Sequence, residues 1–463
     1  MLLHPDRLFP ADPATRDIAR ALYHAVEKAP IVSPHGHTDP RWWGENGAFA
    51  NPAELLVIPD HYVVRMLISQ GMAYEDLGIG PDADSDPRAI WRRFASQYHL
   101  FQGTPSRLWF DHSLSQVFGI EERLSHHNAD EIYDAVNERL ALPDYRPRAL
   151  YERFGIDVIA TTDSALDDLG WHQMAKDSGW SGRVVPTYRP DAVIDPETQG
   201  FAANLDRLGE LTGCDTGSWQ GYLDAHRARR AFFRAMGATA TDHGHPTPQT
   251  ADLPAAEAAQ LFARIRAGRA TPAEAELFRA QMLTEMARMS VEDGLVMQLH
   301  AGSLRNHSAA VFARYGRDRG FDIPQPVSFT AALKPLLDAV GMEQDLRLIL
   351  FTLDETTYAR ELAPLAGAYP SLRLGPPWWF HDSFEGIKRF REMATETAGF
   401  YNTVGFNDDT RALCSIPARH DVSRRADSAF LAELVVTHRL DEDEAHTLAR
   451  LLAGGLARDG YRL

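Results

Sequence analysis

Cysteine is nearly absent: of 463 residues, only Cys214 and Cys414 carry thiols. A disulfide framework is therefore excluded, and a reduced, cytoplasmic setting is expected. Positive charge is also in deficit, with 47 Lys and Arg against 64 Asp and Glu, for a formal net charge of -17. Nucleic acid and anionic membranes are poor partners for such a surface. A small anionic substrate would be repelled too, unless local arginines dominate within a Debye length of roughly 10 Å. No apolar run is long enough to cross a bilayer. The opening MLLHPDRLFPADPATRD has no basic segment followed by an apolar one, so no secretory leader is expected. No glycine-rich phosphate loop follows an early strand, which disfavours a nucleotide-binding sheet.

What is present is a chain able to bury a core, with 44% hydrophobic and 24% charged residues. Its length suits one large barrel with insertions, or two to three ordinary domains. Short apolar runs alternate with turns and long amphipathic segments, the pattern of βα repetition. Strands are expected at 31–33, 157–161, 183–187, 295–299, 347–351, 372–374 and 400–404. They end in PHGH, TTD, YRPD, HAG, TLDE, GPPWWF and GFNDDTR. An α/β barrel places its active site at such strand ends. Two regions depart from the rhythm. Residues 50–150 read as a helical insertion after the first strand. Residues 197–290 read as largely helical, with ATATDHGHPTPQTADLP as a loop in the middle. The expectation is a single barrel domain over 1–463 with the insertion inside it.

His35 and His37 follow the first strand. In extended backbone, residues i and i+2 point to one side, so both imidazoles can reach one metal. The acidic end of the last strand can supply a carboxylate, Asp409 or its neighbour Asp408, leaving coordination positions open. Arg411 stands two residues beyond Asp409. His243 and His300 follow strand-like segments and could be further ligands or substrate contacts.

These motifs carry a resemblance. PIVSPHGHTDP, DHYVVRML, TTDSALDDLGWH, PTYRPD, DHG, VMQLHAGSLRN, GPPWWF and DDTR occur in that order over nearly the whole chain. The chain resembles the uronate isomerase family, a divergent branch of the amidohydrolase superfamily. The resemblance implies a TIM-like (β/α)8 barrel with a helical insertion after the first strand. It implies metal ligands His35, His37 and Asp409, and active-site roles for Tyr62, Arg189 and Arg411, with His61 adjoining. His300, Trp378 and Trp379 become pocket residues; Arg419 and His420 carry over less directly. TTD matches the family's third-strand loop and TYRPD its fourth, where hydrolytic relatives often hold a second metal through a carboxylated lysine. Arg189 in that place argues for one divalent metal, with zinc the first choice.

The implied reaction interconverts D-glucuronate and D-fructuronate, and D-galacturonate and D-tagaturonate, by proton transfer between C2 and C1 through an enediol. Such chemistry needs a base, an acid and a counter-charge for the enediolate. Asp409 and Tyr62 are the candidate pair, since a phenol beside cations gives up its proton more easily. Arg411 suits the oxyanion, and Arg189 a bidentate grip on the substrate carboxylate. A metal-dependent hydrolase of the same superfamily is the alternative. The expected partner is a small hexuronate, with no nucleic acid or membrane; self-association into a homo-oligomer is left open.

Overall fold

The computed structural model describes residues 2–463. Seven parallel strands follow in chain order: β1 (Ile31–Ser33), β2 (Ile156–Ala160), β3 (Val184–Val185), β4 (Ala240–His245), β5 (Val296–Ala301), β6 (Leu348–Thr352) and β7 (Leu372–Leu374). The second and third continue past a break as Asp163–Ser164 and Tyr188–Arg189, and Tyr188 pairs with Thr241 of β4. An eighth segment runs beside β7. Leu374 N–H donates to Asn402 O at 2.8 Å, and Val404 N–H donates to Leu374 O at 3.1 Å. The ends of the first and eighth segments meet where His37 N–H donates to Thr410 O at 3.0 Å. Sequential parallel strands with helices between them are the order of a (β/α)8 barrel.

Parallel strands covered on both faces read as continuous apolar runs. Every residue of β6, LILFT, is buried, and so is every residue of β5, VMQLHA. Full burial of a side chain such as Leu348 or Leu350 contributes about 1.5–3 kcal/mol. Ala240, Val296, Ile349, Val404 and Tyr461 form one cluster. Tyr461 comes from the last helix, Leu456–Tyr461, and its phenol donates to Gln298 Oε1 of β5 at 2.9 Å.

Between β1 and β2 the chain forms helices, among them Pro40–Glu45, His61–Ser69, Pro87–Ser96, Pro105–His112 and Ala129–Leu140. After β5 an arm leaves the barrel. Ser303–Leu304 pairs antiparallel with Ile323–Pro324, and the helix Ala309–Tyr315 lies between them. Among the described residues, no helix is long and apolar enough to cross a membrane.

Three expectations need correction. The stretch assigned to a loop within 197–290 contains β4, all but one of whose residues is buried. Its polar Thr241, Asp242 and His243 hide the apolar run that marks the other strands. The strand expected at 400–404 is reduced to a single bridge, Leu374 with Thr403. Gly405 takes φ 71°, which turns the chain out of strand geometry. With β4 counted, TTD and TYRPD follow the second and third strands, not the third and fourth. The comparison with a metal-bridging lysine therefore falls on β4, which offers Asp242 and His243 and no lysine.

Gly405 also fixes a testable point. A Cβ there would lie 3.1 Å from Leu452 O, in a backbone region L-residues rarely enter. Gly405→Ala is expected to lower stability by about 1–3 kcal/mol, read as a lower thermal midpoint. An unchanged midpoint would remove this glycine from the account of the eighth segment.

Candidate active site

The C-terminal strand ends surround a cavity of about 680 Å³. His37, His61, Tyr62, Arg189, His300, Trp378, Trp379, Asp409 and Arg411 all line it, as does Arg419. His35 is buried against Asp409. A second cavity, of about 940 Å³, lies at the strand starts and is lined by Ala29, Ile31 and Gly155. Its Arg7 and Arg425 are already paired with Asp421.

Asp409 Oδ1 lies 3.4 Å from His35 Nε2 and 3.2 Å from His37 Nε2, and it has no hydrogen-bond partner. Tetrahedral zinc with bonds of roughly 2.0–2.2 Å separates its ligand atoms by roughly 3.3 Å. Both distances match that spacing, and the three ligand atoms all lie within 4.8 Å of one another, so the group could hold one cation. Burial would push the Asp409 carboxyl up, but His35 and His37 hold it well below the usual carboxylate range. Burial keeps His37 below its ordinary value, in the neutral form a metal requires. The alternative carboxylate, Asp408, is committed elsewhere: Asp408 Oδ2 is 3.0 Å from His420 Nε2.

His35, Asp242 and His300 form a second group of ligand-type atoms. It already contains a cation. Arg189 Nη1 lies 3.1 Å from Asp242 Oδ2, and His300 Nε2 is bonded to Asp242 Oδ1. Burial raises Asp242, but His300 and Arg189 outweigh it and hold the carboxyl ionised. His300 must then donate through Nε2–H. Arg189 Nε also donates to Asp191 at 2.8 Å, so two of its three nitrogens face carboxylates. The bidentate grip expected of Arg189 is reduced to the remaining Nη2. A side chain on Gly244 would begin 2.3 Å from that nitrogen, so only glycine leaves Arg189 in place. His243 points to the other face of β4, where its Nε2 lies 3.1 Å from Thr241 Oγ1. It does not line the cavity.

His61 and Tyr62 open the helix His61–Ser69. Asp60 caps it, accepting from Tyr62 N–H at 2.8 Å and Val63 N–H at 3.3 Å. The cap fixes both rings at the cavity wall. Arg419 is buried, ion-paired with Asp382, and stacked 3.7 Å over Trp109 and 5.6 Å over Tyr62. Burial pushes the Tyr62 phenol well above its ordinary value, and Arg419 offsets only part of that rise. The expectation that neighbouring cations would ease its ionisation is thus reversed; Tyr62 is held protonated.

Trp378 is buried, its ring 5.0 Å from that of His300. Trp379 sits at φ 54° with its ring 5.7 Å from His61. Asn306, Asp318, Trp379 and Asp409 are all non-glycine residues at positive φ, and all line the cavity. Such strain gathers at sites whose surroundings over-determine the backbone. Arg411 Nη2 meets Asp318 of the arm at 3.0 Å, with side chains 41% and 42% exposed. Sequence reading did not find Asp60, Asp191, Asp242 or Asp318. Only Asp60 had a signal, as an acidic residue just ahead of an apolar helix.

An α/β barrel whose strand ends bring together two histidines and a carboxylate that could hold a metal, with a phenol and arginines around them, has the layout of a barrel enzyme. The family model described as glucuronate isomerase matches residues 13–454. A uronate isomerase of Rhizobium meliloti is 66% identical over 100% of this chain and 99% of its own. The crystal structure of glucuronate isomerase from Caulobacter crescentus is 55% identical and superposes with a TM-score of 0.98, covering 99% of this chain and 97% of that one. That of a Thermotoga maritima uronate isomerase, 26% identical, gives 0.93 over 100% of both chains. The chain belongs to the glucuronate isomerase family, and it is an isomerase.

Burial and the nearby Arg411 push His61 down to about 3 from an ordinary 6.5. A folded value below the unfolded one means that unfolding takes up a proton in acid. His61 thus favours the fold fully above pH 6.5, and that contribution is lost as pH falls toward about 3. Its ring resonances should not titrate between roughly pH 5 and 8; a midpoint inside that window would overturn the assignment.

Proposed function

We propose that the enzyme interconverts D-glucuronate with D-fructuronate, and D-galacturonate with D-tagaturonate, in the cavity at the strand ends. The observation that carries this reading is one ionised carboxylate, Asp409, on two imidazoles in the same cavity as a phenol held protonated. A 66%-identical relative named uronate isomerase supports it. One divalent cation, zinc by the donor set, would be held by His35, His37 and Asp409. When bound, it would orient the substrate oxygens and polarise the carbonyl.

The protein's own groups move the proton. Asp409 takes the C2 hydrogen as a proton, and the electron pair left behind forms the C1–C2 double bond. Tyr62 gives its proton to the carbonyl oxygen on C1, so an enediol stands between the two groups. Asp409 returns its proton to C1 while the hydroxyl on C2 reprotonates Tyr62, leaving a carbonyl at C2. Arg411 steadies the oxyanion and Arg189 holds the carboxylate through its one free nitrogen. Trp378 and Trp379 offer flat faces to sugar C–H surfaces, with His300 beside the first and His61 beside the second. A hydrolase of neutral amides on the same ligands would have no use for Arg189 and Arg411, and that reading is not favoured. Two unbridged cysteines suit the reducing cytoplasm.

The direct test is incubation of the metal-loaded protein with D-glucuronate and with D-galacturonate, watching for the keto products; neither product forming would end the proposal. Elemental analysis should find one divalent ion per chain, and Asp409→Asn should lose both ion and turnover. Full activity of chelated, metal-free protein would overturn the ligand assignment. Tyr62→Phe keeps the ring against Trp109 and should lower turnover about 10²–10⁴-fold with little change in stability. Near-normal turnover would leave Tyr62 only as a wall of the cavity.

A further inference from the structure

Six arginines line the cavity: Arg65, Arg189, Arg305, Arg317, Arg411 and Arg419. Four are already ion-paired. Arg189 meets Asp191 and Asp242, Arg305 meets Asp322 at 2.9 Å, Arg411 meets Asp318 at 3.0 Å, and Arg419 meets Asp382. Among the described residues, Arg65 and Arg317 have no carboxylate partner. Arg65 lies over the Phe380 ring at 4.9 Å, and its Nε is buried with no hydrogen-bond partner. Arg317 is exposed on the arm, one residue before Asp318.

The two come from different walls of the mouth. Arg65 belongs to the helix His61–Ser69, in the long connection after β1, and Arg317 to the arm after β5. The walls are tied together: Tyr74 OH donates to Arg319 O at 2.5 Å, and Tyr315 OH donates to Glu75 at 2.8 Å. A chain of net charge -17 repels an approaching hexuronate. A carboxylate that takes Arg411 Nη2 competes with Asp318 for it, whereas Arg65 and Arg317 have no carboxylate to exchange. Unpaired cations at the rim of a cleft reverse the local field and raise the rate of encounter. A cavity of about 680 Å³ is also larger than a single sugar fills.

We propose that Arg65 and Arg317 form an outer anion subsite, which takes the carboxylate of the incoming hexuronate before it moves inward to Arg189 and Arg411. This rests on the isomerase reading above. The ligand class is a monocarboxylate sugar acid, held by guanidinium hydrogen bonds.

The test is steady-state kinetics with D-glucuronate over rising sodium chloride. The double variant Arg65→Gln with Arg317→Gln should keep kcat within about twofold and raise KM about five- to twentyfold in low salt. The gap should narrow as salt increases, and the double lysine variant should recover most of the loss. An unchanged KM, a fall in kcat as large as the rise in KM, or a salt dependence parallel to the parent would overturn the proposal. So would an equal KM shift in Arg269→Gln, which removes an exposed charge outside the cavity. If the double variant does not fold, Arg317→Gln alone must raise KM with the same salt behaviour. Should the parent not isomerise hexuronates at all, the isomerase reading fails. The subsite is then judged by calorimetry, where D-glucuronate must bind the double variant more weakly than the parent; equal binding overturns it.

Discussion

Keeping Asp242 and Asp409 ionised out of water is the constraint on which the mouth of the barrel depends. The Asp242 side chain is 0% exposed and that of Asp409 10%. An unpaired buried charge is heavily penalised, and such a group neutralises unless cations and donors surround it. Asp242 is met by Arg189 and His300, and Asp409 by His35 and His37. Much of the remaining geometry serves those contacts: Gly244 is bare so that Arg189 can pass, and Asp191 takes the other edge of its guanidinium. The same logic explains Arg419, which needs Asp382 and the Trp109 face to remain buried beside Tyr62.

These pairings divide the arginines by availability. Those near the ligand group are restrained by carboxylates and therefore pre-oriented, which limits the reorganisation needed when a substrate arrives. Restraint also limits what they can do, since Arg189 has one nitrogen left rather than a full fork. The polar groups of the cavity are thus selective by how few bonds they still lack. The positive φ of Asp409 and Trp379 belongs to the same arrangement, as local strain tolerated where surrounding contacts fix the chain.

Much of this was legible in the sequence, for a physical reason. Apolar strands that end abruptly in His, Asp, Arg and Trp mark both the barrel period and its working face, so the positions of β1, β5, β6 and β7 could be read to within a residue or two. His35 and His37 were read from the same ends, where the carboxylate stood between Asp408 and Asp409; the family resemblance pointed to Asp409. β4 was not, because Thr241, Asp242 and His243 are polar in a strand whose burial depends on partners far away in the chain. The eighth segment looked like a strand from Phe400, Tyr401 and Val404, but Gly405 bends it away after one bridge. Asp318 and the free Arg317 lie on an arm whose place over the mouth follows from contacts with Tyr74 and Glu75, which no local pattern encodes. The protonated state of Tyr62 was misjudged because charge is visible in sequence and depth is not.

The seam between the first and eighth segments has a consequence for biosynthesis. His35 and His37 leave the ribosome early, whereas Asp409 and Thr410 emerge only after nearly all of the barrel has been made. Until then β1 has no neighbour on one side, and its two imidazoles have no carboxylate between them. Nascent chains therefore expose an unfinished edge throughout elongation, and unpaired strand edges are prone to wrong pairing. His35, His37 and Asp409 can meet only once the first and eighth segments have come together, so that grouping depends on closure of the barrel rather than on the folding of either end.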